Sequence, residues 1–166
     1  MGDCFKSTGK EIIETRHADY FSKIIMDDGI DVYISQGSTI SIHVKGGKNL
    51  LNNVKTEVKE GILNIENTNR CNWVRSFKKD ISVYVTVIDL NEIEYNGSGN
   101  LLFETPLNST QFFLNMYQAS GTVQLNLNCE KLELKIHTGP GKILATGNST
   151  ELVLYNNGPG YIDAQE

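Results

Sequence analysis

Apolar and polar residues alternate with a period of two along nearly the whole chain. The stretches "DVYISQG" (31–37), "TISIHVK" (39–45), "GILNIEN" (61–67), "DISVYVTV" (80–87), "KLELKIH" (131–137) and "ELVLYNN" (151–157) all read this way or nearly so. Valine, isoleucine, tyrosine and threonine are frequent in them, and turn residues bound each run. This is the pattern of half-buried β-strands. No segment carries a 3.6-residue apolar stripe longer than two turns. "NLLNNVKTEVKEG" (49–61) has some helical character. With the "ILNIE" that follows, it reads better as a hairpin with Gly61 just past its turn. The pattern predicts an all-β chain, as one domain over 1–166.

The second half repeats. Four small-residue turns occur, Gly97-Ser98-Gly99, Ala119-Ser120-Gly121, Gly139-Pro140-Gly141 and Gly158-Pro159-Gly160, with their last glycines 22, 20 and 19 residues apart. Two residues after each stands an aliphatic (Leu101, Val123, Ile143, Ile162), and two further on another apolar residue (Phe103, Leu125, Ala145, Ala164). Alternating strands precede the turns, with a one-residue slip before the middle two. A looser copy, "FSKIIMDDGIDVYIS", occupies 21–35. Strand-only repeats of about 20 residues predict a β-solenoid, in which each coil buries its apolar face against its neighbours. Leu101, Val123, Ile143 and Ile162 are then expected to form one ladder. Regular coils are expected over 89–166. A tail and first strand (1–14) and a hairpin-rich region (15–88) precede them and cap the N-terminal end, where an open sheet would expose unpaired backbone. Hairpin-like strands are predicted near 11–16, 20–26, 30–35, 39–45, 54–58, 61–66 and 80–87.

The glycine turns also invite a chemical reading, which fails on context. A phosphate-binding loop needs lysine and then serine or threonine after its second glycine, but Lys142 is followed by Ile143. A dinucleotide-binding turn needs a third glycine where Leu144 stands. A structural corner fits better. In a type II turn proline presets φ at the second position and glycine supplies positive φ at the third. This predicts positive φ at Gly99, Gly121, Gly141 and Gly160.

Together, "FSKIIMDDGIDVYISQG", "NLLNNVKTEVKEGILNIEN", "DISVYVTVIDLNEIEYNGSGNL" and the later glycine-turn coils resemble the bacterial family called putative auto-transporter adhesin, head GIN domain, over about residues 15–165. The order of the blocks carries the resemblance; no single motif does. It implies a β-helix-like fold and an exported envelope protein or lipoprotein. It brings no catalytic residues. Using "GPG" twice and "ASG" once in place of the commoner "GSG" is a conservative change for a turn.

Composition narrows the rest. With 166 residues, 39% hydrophobic and 21% charged, the chain is long enough for one real core. A net charge of −5 and no basic tail argue against nucleic acid, which needs concentrated positive surface. No run approaches the roughly 18 apolar residues of a membrane-spanning helix, and no signal-peptide apolar region is present. The polar start "MGDCFKSTGK" fits a cytosolic start or a chain trimmed behind an export signal, with Cys4 beside or at a lipid-bearing cysteine. Cys4, Cys71 and Cys129 lack metal-type spacing. His17, His43 and His137 are isolated, so no metal site and no cofactor are expected.

The binding candidates lie in "NTNRCNWVRSFKK" (67–79), the least strand-like stretch. Trp73 flanked by Arg70 and Arg75 could stack on a sugar face or hold an acidic group. The bland alternative is a long hairpin tip covering the solenoid. Asp27, Asp28 and Asp31 in "MDDGID" are read as a solvated turn, because a calcium loop needs more oxygen ligands. His137, Asn156 and Gln118 sit just before corners and form no acid–base pair. No two carboxylates occupy equivalent positions of adjacent coils, so no catalytic residue is assigned.

These features converge on a non-enzymatic envelope or surface protein, exported, acting as an adhesion or binding module. A glycan or an extracellular protein is the expected partner, and any membrane contact runs through a lipid anchor outside the folded domain. Two other readings stay open: a self-associating envelope protein joined through an open solenoid end at "YIDAQE", and a carbohydrate-active enzyme on a β-helix.

Overall fold

The computed structural model describes residues 7–69 and 81–165. In chain order the elements are β1 (Glu11–Arg16), β2 (Lys23–Asp28), β3 (Asp31–Gln36), β4 (Ser41–Gly47), the single turn α1 (Lys48–Leu51), β5 (Val54–Lys59) and β6 (Ile62–Asn67). After them come β7 (Ser82–Val87), β8 (Glu92–Gly97), β9 (Leu101–Phe103), β10 (Leu107–Met116), β11 (Thr122–Ile136), β12 (Lys142–Asn156) and β13 (Tyr161–Gln165). The fold is all-β, as the alternation predicts. The strands join in one 13-stranded sheet, ordered β1-β4-β7-β3-β9-β11-β10-β8-β2-β6-β5, with β12 beside β11 and β13 beside β12. It is mixed and nearly closed into a barrel shape.

Two long strands make the curvature. The first part of β11 pairs with β9 and its second part with β10, so β11 belongs to both halves of the sheet. It pairs with β12 on its other side along nearly its full length. Pairing is interrupted at Glu130, beside Thr110 and Thr150, where the three strands pass from one half to the other. A column of amides runs beside this bend: Asn128 Nδ2 donates to Asn108 Oδ1 (3.2 Å) and Asn148 Nδ2 to Asn128 Oδ1 (3.0 Å). Gln36 extends it, its Oε1 accepting from Asn108 N at 2.9 Å.

Parallel, in-register stacking builds the core. Val32 stands beside Leu101, Leu101 beside Val123, Val123 beside Ile143, and Ile143 beside Ile162. This is the ladder expected from the glycine spacing, lengthened by Val32. On the other half Ile24, Ile93 and Leu114 share a row, as do Leu134 and Leu154. One apolar cluster fills the space between the halves, and Phe103 meets Phe112 edge-on at 5.7 Å across it. Each fully buried aliphatic contributes about 1.5–3 kcal/mol.

The first half differs from the hairpins expected there. β2 runs parallel to β8 and β6, and β3 parallel to β9 and β7. The looser copy at 21–35 is thus a layer of the stack, registered 69 residues from its neighbour (Ile24 beside Ile93). Strands that share an apolar period with the later layers bury more surface by joining them than by pairing with each other. β5 and β6 do form the predicted hairpin, but Gly61 lies inside its turn: Glu60 (φ 51°) and Gly61 (φ 76°) are both left-handed. That is the type I′ geometry that matches strand twist. α1 buries Leu50 and Leu51; one turn is too short to leave a helical period. Antiparallel pairs β1–β4, β4–β7 and β5–β6 end the sheet on this side. Arg16 joins the two outermost strands, donating to Leu51 O (2.9 Å), Thr56 Oγ1 (3.2 Å) and Val54 O.

Candidate functional site

Arg70, Trp73 and Arg75, the candidates for ligand contact, lie outside the described residues, as do Cys4 and Cys71. The base of their segment is described. Asn67 and Asn69 are buried there. Asn69 Nδ2 donates to Leu50 O (2.9 Å) and Asn67 Oδ1 (2.8 Å), while Asn53 Nδ2 donates to Asn69 Oδ1 (3.1 Å). The Asn67 amide donates to Asp28 Oδ2 at 3.1 Å. Residue 69 is therefore held on three sides before the segment begins.

The aspartates of "MDDGID" tie layers together. Asp27 accepts from Asn96 Nδ2 (3.0 Å), and Asp31 from Asn100 N (2.7 Å) and Nδ2 (3.1 Å). Each has a donor on the layer 69 residues away. No cluster of metal-ligating side chains occurs among the described residues.

The corner glycines serve a different purpose from the one expected. Positive φ is absent at Gly99, Gly121, Gly141 and Gly160; it occurs instead at Gly139 (101°) and at Gln118 (53°). Gly99, Gly121 and Gly160 need glycine because the backbones of adjacent layers nearly touch there. A Cβ on Gly121 would lie 1.6 Å from Gly99 O, on Gly99 1.9 Å from Ile30 O, and on Gly160 2.0 Å from Gly141 O. Gly141 is less confined: a Cβ there would meet the movable Met116 methyl at 2.5 Å, with the nearest backbone atom, Ala119 O, at 3.0 Å. The corner amides bond from layer to layer, as Ser120 N to Gly97 O (2.9 Å) and Gly141 N to Ala119 O (2.9 Å). Under the column the buried Tyr95 hydroxyl donates to Gly99 O, and burial raises its pKa well above the usual tyrosine range.

Beside the corners an outward row carries Tyr117, His137 and Tyr155. Tyr117 stacks on His137 at 4.3 Å and 9°, and Tyr155 lies 5.5 Å further along, tilted by 48°. His137 Nε2 is 3.1 Å from Asn115 Oδ1. His137 and Gln118 thus stand where the sequence places them, before a corner. Gln118 N donates to Thr138 Oγ1 at 2.8 Å.

The row ends at the β12–β13 end, where apolar side chains are exposed among the described residues. Leu132 and Leu134 are 5% and 0% exposed, whereas Leu152 and Leu154, their register partners one layer on, are 46% and 48% exposed. Tyr155 and Tyr161 are exposed beside them. A cavity of about 200 Å³ opens here between the halves of the sheet, floored by Leu127, Leu132 and Ala145 and walled by Leu152 and Ala164. Its polar side is Asn148, Ser149, Thr150 and Gln165. Among the described residues the lining holds hydroxyls, amides and aliphatics and no ionisable side chain. Such a surface can bind by apolar contact and hydrogen bonds; proton transfer needs a titratable group within reach. Sequence reasoning placed an open end here but missed the amide column that leads to it. The recurrence of Asn108, Asn128 and Asn148 at intervals of 20 was its signal.

These features define a class: an all-β protein whose parallel layers are stacked through glycine corners and display rows of side chains. The chain belongs to the family described as putative auto-transporter adhesin, head GIN domain, whose model matches residues 20–166. Solved structures share the fold. A putative adhesin from Bacteroides fragilis superposes with a TM-score of 0.67 at 19% identity, covering 93% of this chain and 97% of its own. A putative adhesin from Parabacteroides merdae gives 0.57 at 15% identity (94% and 96%). A putative lipid binding protein from Parabacteroides distasonis gives 0.58 at 14% (94% and 97%). No curated protein matches the chain. Among the described residues no helix is long and apolar enough to cross a membrane, which says nothing of strands.

Proposed function

We propose that the chain is a non-enzymatic binding module of the bacterial cell envelope or surface, of the adhesion type. The observation that carries this reading is the family match over residues 20–166. The fold shared with the proteins of B. fragilis and P. merdae described as putative adhesins supports it. So does the cavity at the open end, whose lining suits binding more than acid–base chemistry. We read the parallel layers as coils of a short β-solenoid, capped on one side by the antiparallel strands. The protein is exported and works by presentation. A stiff stack holds outward rows at the strand spacing of about 4.8 Å, and several copies on a surface add modest contacts into useful avidity. The partner is an extracellular glycan or protein. Trp73, with Arg70 and Arg75, is its first point of contact, because an indole face covers a sugar ring well and guanidinium groups hold acidic substituents.

A glycan and matrix-protein array tests this. Selective binding is expected that falls at least tenfold, on the order of 1.4 kcal/mol, in Trp73→Ala with an unchanged melting temperature. An array without specific binders would count against the module. Binding that survives Trp73→Ala would move the contact elsewhere. Phospholipid vesicles belong in the same panel, since one structural neighbour is described as a putative lipid binding protein.

A further inference from the structure

We propose that the protein is a force-extensible module. Tension between its two ends releases the C-terminal layers one at a time and leaves the N-terminal part folded until last. This goes beyond the binding role above and holds whatever the partner is.

The direction of load follows from strand order. One half of the sheet reads β1-β4-β7-β3-β9-β11-β12-β13, with the first and last strands at opposite ends of the row. Tension on the two chain ends therefore runs across the strands, along their hydrogen bonds. Bonds loaded that way break one after another, and each contributes little alone. The order of release follows from which strands are edges. From β8 onward, chain order and layer order coincide. β10 lies on β8, β11 on β9 and β10, β12 on β11, and β13 on β12. Peeling one layer makes the next an edge, and the surface left behind repeats the one removed, as in stacked repeats. The bends supply the breakpoints. Thr110, Glu130 and Thr150 stand 20 residues apart, and pairing lapses at each. A released layer thus yields about 70 Å of extended chain.

Peeling stops below β8. The next strand along the chain from that side is β7, which lies between β4 and β3. From the other side β1 can fray, but β2 lies between β6 and β8, and β3 between β7 and β9. The 69-residue detour that sets Ile24 beside Ile93 thus shields the middle of the stack from both chain ends. The seam above β2 and β3 is also the best bridged among the described residues. Lys23 pairs with Glu92 at 3.0 Å, Asp27 accepts from Asn96 Nδ2 at 3.0 Å, and Asp31 accepts from the Asn100 amide at 2.7 Å. The layer of β8 and β9 is therefore the last to be peeled. Once it has left, β2 to β7 open together, because drawing out β7 parts β3 from β4. A module held at one end then lengthens under load instead of passing the whole force to a bound partner.

Optical-trap pulling on the chain by its two ends tests this. Short releases of β1 and of residues 151–165 come first. Three releases of about 70 Å are expected to follow, ending at residues 130, 110 and 90, and then a final one of about 250 Å. Forced opening is governed by the unfolding rate, so a variant is read at constant force. Asp31→Ala removes bonds that cross the seam above β3. It should speed the third of the 70 Å releases at least tenfold and leave the first unchanged. A single rip of the whole chain, a first release larger than one layer, or opening of the N-terminal part before the layers above it would overturn the proposal. So would an Asp31→Ala chain that releases all layers at the parent's rates. The step pattern of the parent chain carries the test by itself if that variant fails to fold.

Discussion

Adding one methyl group at the corner column, as Gly121→Ala, separates two accounts of why glycine stands there. The new Cβ would lie 1.6 Å from Gly99 O and 2.2 Å from the Tyr95 hydroxyl. Neither neighbour can yield cheaply. The first is backbone of the adjacent layer, and the second is a fully buried ring whose hydroxyl is already bonded to Gly99 O. The layers must part or the tyrosine must turn. Overpacking of this kind costs about 1–3 kcal/mol, and losing the tyrosine hydrogen bond adds about 1 kcal/mol. For a domain of this size each kcal/mol lowers Tm by about 2–4 °C, so a fall of roughly 5–15 °C is expected. Gly61 is the matched control. Its φ is 76° and nothing lies within 4 Å of a Cβ there, so Gly61→Ala meets only the left-handed penalty of about 1–2 kcal/mol. Asparagine distinguishes them further, because it visits left-handed φ readily but still carries a Cβ. Gly61→Asn should melt close to the parent and Gly121→Asn far below it. Thermal unfolding followed by circular dichroism reads all four variants. Gly121→Ala melting within a degree or so of the parent would refute the close-contact account.

Asn128→Ala removes the middle rung of the amide column and leaves Asn108 Oδ1 and Asn148 Nδ2 without that partner. A loss of about 1–2 kcal/mol in urea unfolding is expected, whereas Asn148→Ala, at the outer end, should cost less than half as much. Arg16→Ala frees the carbonyls of Leu51 and Val54, which should speed hydrogen exchange in β1 and β5 at least tenfold while β10 and β11 keep their protection. Burial raises the pKa of the half-buried Cys129 thiol. Its alkylation, followed by peptide mapping, should therefore rise toward a more alkaline midpoint in the folded chain than after denaturation; coincident profiles would contradict it.

Local alternation carried the strands, because every second residue of β3, β6, β7 and β8 faces the core. The layering was legible too, since Leu101, Val123, Ile143 and Ile162 recur at nearly even intervals. Partner choice in the first half was hidden. Ile24 meets Ile93 rather than a nearby strand, and no local rule encodes a 69-residue separation. The corner glycines were located correctly, but the cause assigned to them was wrong. A turn preference is a property of four residues, whereas the contact between Gly121 and Gly99 O exists only once layers are stacked. The bend through Thr110, Glu130 and Thr150 carries no proline or glycine at its pivot, so nothing in turn chemistry announces it.

That 69-residue separation also orders events in time. Each later layer docks on one synthesised about 20 residues before it, while β8 and β9 must find β2 and β3 across a span more than three times longer. The added loop-closure entropy is only about 1 kcal/mol, yet it falls on the step that unites the two ends of the core. The C-terminal layers can therefore zip together among themselves, and the β2–β3 layer joins at the slower, non-local step. A core whose two ends meet late prolongs the interval in which the chain is only partly folded.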